Sequence, residues 1–198
     1  MNGLPSLAVA HAAVSVRTPA NIAARIFKAA NLILPDLEKG RAIGAPALRT
    51  VMEQAFGGSD AGGAWTWKDA YEACEAAQLL FLRKFGAAIK ARAASPAAML
   101  AMLEKVAALL PTHTRRTQES QALQQFSSPI ALGLAASVAA ALMPTDAVLE
   151  PSAGTGLLAI FAELAGCRLA LNELAGTRAA LLSHLFPEAK NDWQAKAE

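Results

Sequence analysis

A glycine-rich loop between a short apolar segment and a helix is the feature that most constrains the fold of this chain. Residues 147–149 predict a short buried strand that runs directly into Glu150-Pro-Ser-Ala-Gly-Thr-Gly156. A helix is predicted over about 157–165 and a second strand over 168–172. Strand, loop, helix and strand in this order form a βαβ unit with parallel strands. The sequence therefore predicts the start of a parallel α/β sheet in a domain assigned to residues 112–198.

The region before this sheet, residues 1–111, is expected to be mostly helical, with residues 1–17 as a loose arm. Thr18-Pro19 and Ser95-Pro96 each place an N-cap residue before a proline at the first helical position. Thr66 and Asp69 resemble a capping box. The other predicted elements are a first helix ended by Pro35, a helix over 46–56, a glycine-rich linker over 57–63, a helix over 67–92, a helix capped by Ser128-Pro129 that reaches about residue 142, and a helix over 176–185.

The long helix over 67–92 is expected to bury one face and expose its charges. Its predicted buried stripe consists of Ala70, Cys74, Ala77, Phe81, Phe85 and Ala88. Its charged residues are expected to form a solvated face. These are Lys68, Glu72, Glu75, Arg83 and Lys90.

Composition excludes several kinds of function. The chain is 54% hydrophobic and 17% charged, as expected of a packed globular protein, and a net charge of +2 gives little general affinity for nucleic acid or an anionic membrane. Cys74 and Cys167 lack a metal-ligand spacing and are expected to be small buried hydrophobes in a reducing compartment. The three histidines are scattered, so no metal site is predicted. The apolar run over 130–143 is too short to cross a bilayer, and the protein is expected to be cytoplasmic.

Three segments are expected to converge on one small-molecule site at the carboxyl edge of the sheet. In the loop, Gly154 and Gly156 allow a tight turn and a close approach to a ligand. Glu173 follows the second strand, where its carboxylate can accept hydrogen bonds from ribose hydroxyls or, alternatively, support the start of the next helix. Phe126 and Ser128 precede a helix start that can hold a ligand's carboxylate, or they form an ordinary cap beside a core aromatic.

The loop by itself also fits a second class of cofactor. Residues 154–159, Gly-Thr-Gly-Leu-Leu-Ala, match the Gly-x-Gly-x-x-Gly/Ala pattern of dinucleotide-binding proteins. A nicotinamide- or flavin-dependent oxidoreductase is therefore the natural rival hypothesis. The Glu-Pro-Ser that precedes the glycines, and the companion segment that ends at Pro129, weigh against it.

These motifs together resemble a known family. Phe126-Ser-Ser-Pro129, then Val148-Leu-Glu-Pro-Ser-Ala-Gly-Thr-Gly156, then Asn172-Glu173 are similar to the ordered opening motifs of the DNA adenine methyltransferases that methylate the amino group. The most similar group is the methyltransferase-like N-terminal region of plasmid- and phage-borne methylase/helicase proteins of the strawberry-notch type. Residues 69–83 and 110–116 also resemble the helical lead-in of that group.

The resemblance implies a truncated Rossmann-like sheet of the class I methyltransferase type that binds S-adenosyl-L-methionine (SAM). Gly154 and Gly156 would approach the methionine part of SAM, with Glu150 near its amino group. Glu173 would hold the ribose, and Phe126 and Ser128 would complete the pocket. The full set of implied cofactor-binding residues is Phe126, Ser128, Glu150, Pro151, Ser152, Ala153, Gly154, Gly156 and Glu173.

The sequence departs from this family in its catalytic motif. The family carries Asn/Asp-Pro-Pro-Tyr/Phe on a later strand, which grips the adenine amino group and stacks on the extruded base. This sequence contains no Pro-Pro pair, so no catalytic residue is assigned and the chain is expected to be incomplete for catalysis. DNA is expected to be contacted through a larger protein or a partner such as a helicase. A methyltransferase-like module that assists a helicase without doing chemistry is the alternative.

Overall fold

The computed structural model describes residues 17–111 and 127–189, and the statements below refer to these residues. The protein is α/β and mostly helical, with a small parallel sheet of two strands. The elements are α1 (Pro19–Glu38), α2 (Ala45–Phe56), α3 (Trp67–Arg92), α4 (Pro96–Ala107), α5 (Ile130–Ala139), β1 (Ala147–Glu150), α6 (Ala159–Leu164), β2 (Arg168–Leu171) and α7 (Gly176–Leu185). Residues 17–111 contain no strand, as the sequence predicts.

The two strands are parallel, which confirms the predicted βαβ order. Their register pairs Ala147 with Arg168 at one end and Glu150 with Leu171 at the other. The prediction that β1 is buried is wrong, because Leu149 remains 59% exposed. A central strand of a parallel sheet is covered on both faces, whereas β1 borders a single strand in this sheet.

Side-chain caps start three of the helices where the sequence predicts them. Thr18 Oγ1 accepts a hydrogen bond from the Asn21 amide at 3.3 Å, and Ser95 Oγ accepts one from the Ala98 amide at 3.2 Å. The capping box at the start of α3 has both of its bonds, since the Thr66 amide donates to Asp69 Oδ2 and the Asp69 amide donates to Thr66 Oγ1. Each cap satisfies a backbone N–H that the helix leaves without a partner.

Three predicted helix boundaries are wrong. Pro35 does not end α1, which continues to Glu38 with Leu37 buried in its last turn. Proline removes one hydrogen bond, and the burial of Leu37 favours keeping the helix. Ser128 is not the N-cap of α5, because Pro129 occupies that position without a side-chain cap, and α5 ends at Ala139 rather than near residue 142.

Helix α3 is the centre of the described part of the molecule, and its predicted solvated face is wrong for three residues, of which Lys68 has a side chain only 9% exposed. Glu72 and Glu75 are buried, while Phe81 and Phe85 of the predicted stripe are half-buried and Ala88 is exposed. The two carboxylates meet residues that are far away along the chain, since Glu75 accepts a hydrogen bond from Thr155 and Glu72 accepts one from Arg178. The buried core of α3 from 70 to 82 consists of Ala70, Tyr71, Glu72, Ala73, Cys74, Glu75, Ala76, Ala77, Leu79 and Leu82.

The two cysteines differ in environment. Cys74 is buried in α3, and burial, with a contribution from Glu75, raises the pKa of its thiol to about 12. Cys167 is only half-buried, and its Sγ donates a hydrogen bond to the Met143 carbonyl at 3.2 Å. The prediction of a buried hydrophobe therefore holds for Cys74 and is wrong for Cys167. None of the helices in the described part of the chain is long and apolar enough to cross a membrane.

Candidate functional site

The glycine loop connects the carboxyl end of β1 to α6. Gly154 and Gly156 have positive φ angles of 57° and 91°, a conformation that side-chain-bearing residues rarely adopt. A Cβ on Gly156 would lie 2.3 Å from Phe186 Cε2 and 3.2 Å from Leu79 Cδ1, whereas a Cβ on Gly154 would meet nothing closer than Arg178 Nη1 at 3.9 Å. Gly156 is therefore required by internal packing, and Gly154 is the glycine with space beside it.

Glu173 lies beside this loop, as the βαβ geometry predicts. Its Oε2 accepts a hydrogen bond from the Gly154 amide, and its Oε1 accepts one from the Ala175 amide, both at 2.8 Å. One carboxylate thus holds the loop and the start of α7 together. Glu150 is placed differently, because its Oε1 accepts a hydrogen bond from the Ser152 amide at 3.2 Å within its own turn.

A second carboxylate reaches the loop from α3, and the sequence did not predict it. Thr155 Oγ1 donates a hydrogen bond of 2.6 Å to Glu75 Oε2, and both residues are buried. One turn earlier, Glu72 Oε1 accepts a hydrogen bond of 2.6 Å from Arg178 Nε and lies 3.4 Å from Lys68 Nζ. The two hydrogen bonds join α3, the glycine loop and α7 through four buried residues, and we call these four the buried polar cluster: Glu72, Glu75, Thr155 and Arg178.

Only one signal in the sequence pointed to this cluster. Glu72 and Glu75 are spaced one helical turn apart in a stretch, 70–82, that is otherwise almost entirely apolar. Acidic residues with apolar neighbours on every side of a helix cannot all face water. That pattern could have indicated buried carboxylates, but it could not have named Thr155 and Arg178 as partners, which are 80 and 106 residues away along the chain.

Burial and neighbouring charges shift the pKa values of two cluster residues, Glu72 and Arg178, in opposite directions. Burial raises the pKa of Glu72 and outweighs the lowering by Lys68 and Arg178. Burial lowers the pKa of Arg178, but the Glu72 carboxylate and its hydrogen bond, together with Glu75 and Glu173, raise it above its usual value. Arg178 is therefore a permanently charged group held among three carboxylates.

A small cavity of about 40 Å³ adjoins the loop. It lies between the loop, the segment before α5, α3 and α7. Its lining residues are Glu75, Ser127, Ser128, Ser152, Ala153, Gly154, Thr155, Leu157, Leu158 and Arg178.

Four of the predicted site residues line this cavity: Ser128, Ser152, Ala153 and Gly154. The other four described ones do not, namely Glu150, Pro151, Gly156 and Glu173. Phe126 lies outside the described residues. The structure thus brings the loop, Ser128 and Glu173 to one edge of the sheet, with Glu150 turned into its own loop.

Two larger grooves lie elsewhere. One of about 840 Å³ runs along the strands and is lined by residues such as Val148, Leu149 and Leu169. Another, of about 810 Å³, lies between α3, α4 and α5. Neither is lined by a predicted site residue. In the described part of the chain no three His, Cys, Asp or Glu residues are grouped as a metal site would need.

Comparison of the chain with family models, with curated proteins and with solved structures finds no match.

Proposed function

We propose that this chain binds S-adenosyl-L-methionine at the glycine loop, as the cofactor-binding portion of a DNA adenine methyltransferase-like protein with a Rossmann-like sheet. Methyl transfer to DNA would take place within a larger protein or with a partner such as a helicase. The proposal combines the sequence resemblance with one observation, the presence of two carboxylates on the loop.

The two carboxylates favour a cofactor without phosphate. Glu173 accepts the hydrogen bond of the Gly154 amide, and Glu75 accepts that of the Thr155 hydroxyl, so the loop carries negative charge on both sides. In a dinucleotide-binding loop, such donors bind the pyrophosphate. A pyrophosphate here would meet two carboxylates, whereas the one cation that lines the cavity, Arg178, already donates to Glu72, so charge repulsion opposes its binding. SAM has no phosphate and carries positive charge, which these carboxylates attract.

The described residues have a donor and acceptor set that suits SAM. A carboxylate has about four lone-pair sites, so Glu173 can accept from ribose hydroxyls while it keeps its two bonds to backbone amides. The space beside Gly154 lets the ligand approach the loop backbone. When bound, SAM supplies an electrophilic methyl group. The loop and Glu173 would bind the cofactor and fix its orientation.

Isothermal titration calorimetry tests this proposal with SAM, S-adenosylhomocysteine and NAD. We expect the first two to bind and NAD not to bind. Glu173→Ala should weaken the binding of both by about 1–3 kcal/mol, because two hydroxyl groups of the ligand and the Gly154 and Ala175 amides lose their acceptor. Glu104→Ala, which removes an exposed carboxylate of α4, is the matched control and should leave binding unchanged.

The opposite ligand preference would contradict the proposal. Tighter binding of NAD than of S-adenosylhomocysteine would indicate that the loop is a dinucleotide-binding loop. Absence of binding by all three ligands, in a sample whose helical circular dichroism spectrum is intact, would exclude a cofactor site of either kind at this loop.

A further inference from the structure

Two buried side chains of opposite charge line the small cavity beside Gly154. Glu75 and Arg178 are each only 5% exposed, and they come from α3 and α7, which are far apart in sequence. Ser128 and Ser152 line the same cavity and add hydroxyl groups. A cavity with a carboxylate, a guanidinium and hydroxyls in its wall is suited to a small ligand group that carries both charges.

The size of the cavity restricts what can enter it. A water molecule needs about 10–15 Å³ of such space, so about 40 Å³ has room for a few water-sized groups. A single ammonium or carboxylate group is of this size, and in an α-amino acid the two groups are joined through one carbon atom. A nucleoside is far larger and has to lie on the open side of the loop.

We propose that this cavity binds the α-amino-acid end of the cofactor, with Glu75 accepting from its ammonium group and with Arg178 and Ser128 donating to its carboxylate. This inference rests on the proposed function and adds the helical region to the cofactor site. It differs from what the family resemblance implies, where Glu150 lies near the amino group. Glu150 does not line the cavity, and its Oε1 accepts from the Ser152 amide.

Glu72 holds the Arg178 side chain from the α3 side. Its Oε1 accepts from Arg178 Nε at 2.6 Å, which fixes the plane of the guanidinium and leaves its far side toward the cavity and Gly154. Glu72 is fully buried, and its Oε2 has no hydrogen-bond partner in the described structure.

The test uses two ligands that share the adenosine and the thioether sulfur and differ in the α-amino-acid end, together with the one methylene that carries it. S-adenosylhomocysteine has the α-amino-acid end, and 5′-methylthioadenosine lacks it. We expect the unaltered protein to bind S-adenosylhomocysteine at least about tenfold more tightly than methylthioadenosine, since each charge-assisted hydrogen bond of this kind changes affinity by about tenfold or more.

Glu75→Gln keeps the shape of the side chain and can still accept from Thr155, so the loop keeps its support. This variant should lose about tenfold in affinity for S-adenosylhomocysteine and little for methylthioadenosine. Ser128→Ala is a milder second variant, with a loss of about threefold for the first ligand alone. Glu150→Gln is measured beside them, because the family resemblance assigns the amino group to that residue.

Each other outcome overturns the inference in a distinguishable way. Equal affinity of the unaltered protein for the two ligands would show that the amino-acid end is not held. Equal losses for both ligands in Glu75→Gln would make Glu75 a support of the loop only. A selective loss in Glu150→Gln but not in Glu75→Gln would place the ammonium at Glu150. If neither ligand binds, the proposed function itself fails.

Discussion

The two regions of this protein bury their apolar side chains to very different degrees. In residues 17–111, which contain α1 to α4, no large hydrophobic side chain is strongly exposed. All five exposed large hydrophobics of the described chain lie in the α/β region, residues 127–189. They are Leu132, Val138, Met143, Leu149 and Leu174.

This difference in burial shows that the region that contributes most to stability is not the region that contains the glycine loop. α1 and α3 form a core whose residues are fully buried, such as Ile26, Ile33, Leu79 and Leu82. The sheet has two strands and leaves Leu149 to solvent, although a parallel sheet is normally covered on both faces. The helical region therefore carries most of the hydrophobic stabilisation, and its Glu75 holds the glycine loop together with Glu173, which follows β2.

The loop at the junction of the two regions should be the most sensitive point. Gly156→Ala should destabilise the protein by about 3–5 kcal/mol, because a positive φ and a 2.3 Å approach to Phe186 add their costs. Gly63→Ala is the matched control, with a φ of 74° and nothing within 4 Å of the new Cβ, and should cost about 1–2 kcal/mol. Urea unfolding followed by circular dichroism measures both. Equal losses in the free energy of unfolding for the two variants would show that Phe186 accommodates the new Cβ without a free-energy cost.

Truncation of one leucine in each region tests the comparison directly. Leu79→Ala, at a fully buried position of α3, should cost about 3 kcal/mol through lost burial and a new cavity. Leu149→Ala, at a position 59% exposed in β1, should cost less than about 0.5 kcal/mol. Thermal unfolding of the two variants in parallel provides the measurement. A loss at Leu149 as large as that at Leu79 would mean that β1 is covered in solution, and the contrast between the regions would be wrong.

The smallest expected effect concerns an ion pair between the regions. Arg83 of α3 donates to Glu163 of α6 through Nε at 2.6 Å and Nη2 at 2.8 Å, with each side chain about one-third exposed. Arg83→Gln should cost about 1 kcal/mol, because a paired, partly buried geometry is worth more than an exposed contact. Asp60→Asn weakens a single 3.4 Å contact to Arg49 within the helical region and should cost about 0.3 kcal/mol. Chemical denaturation measures both losses in the free energy of unfolding. If the loss within the helical region is the larger one, the ion pair between the two regions does not stabilise the protein more than an exposed pair.

The sequence predicts local structure well where the signal is local. The ends of α3 at Trp67 and Arg92 follow from the capping box and the change of composition after residue 92, and α7 begins and ends where predicted. The parallel pairing of β1 and β2 follows from the handedness of βαβ units. The prediction that α1 ends at Pro35 was wrong, because a proline near the last turn removes only one hydrogen bond and the end of this helix is buried at Leu37.

The part of the candidate site that depends on distant contacts was not predictable in the same way. Glu173 could be placed beside Gly154 because both follow strands of one βαβ unit. Glu75 could not be placed there, since its position depends on how α3 packs against α6, and helix periodicity alone assigned it to solvent. A sequence pattern indicates which face of a single helix or strand is buried. The buried polar cluster depends on how α3, the glycine loop and α7 pack against one another, and a sequence pattern does not contain that information.

The packing of α1 against α7 constrains how the chain folds while it is being synthesised. The Phe27 and His184 rings stack with centroids 5.5 Å apart, and Pro19 lies beside Gly176. A ribosome makes α1 more than one hundred residues before α7, at roughly 5–20 residues per second. During that interval the α7-facing side of α1 is without its final neighbour. The nascent helical region therefore stays open on that side until α7 leaves the ribosome, and only then can Arg178 meet Glu72 beneath the loop.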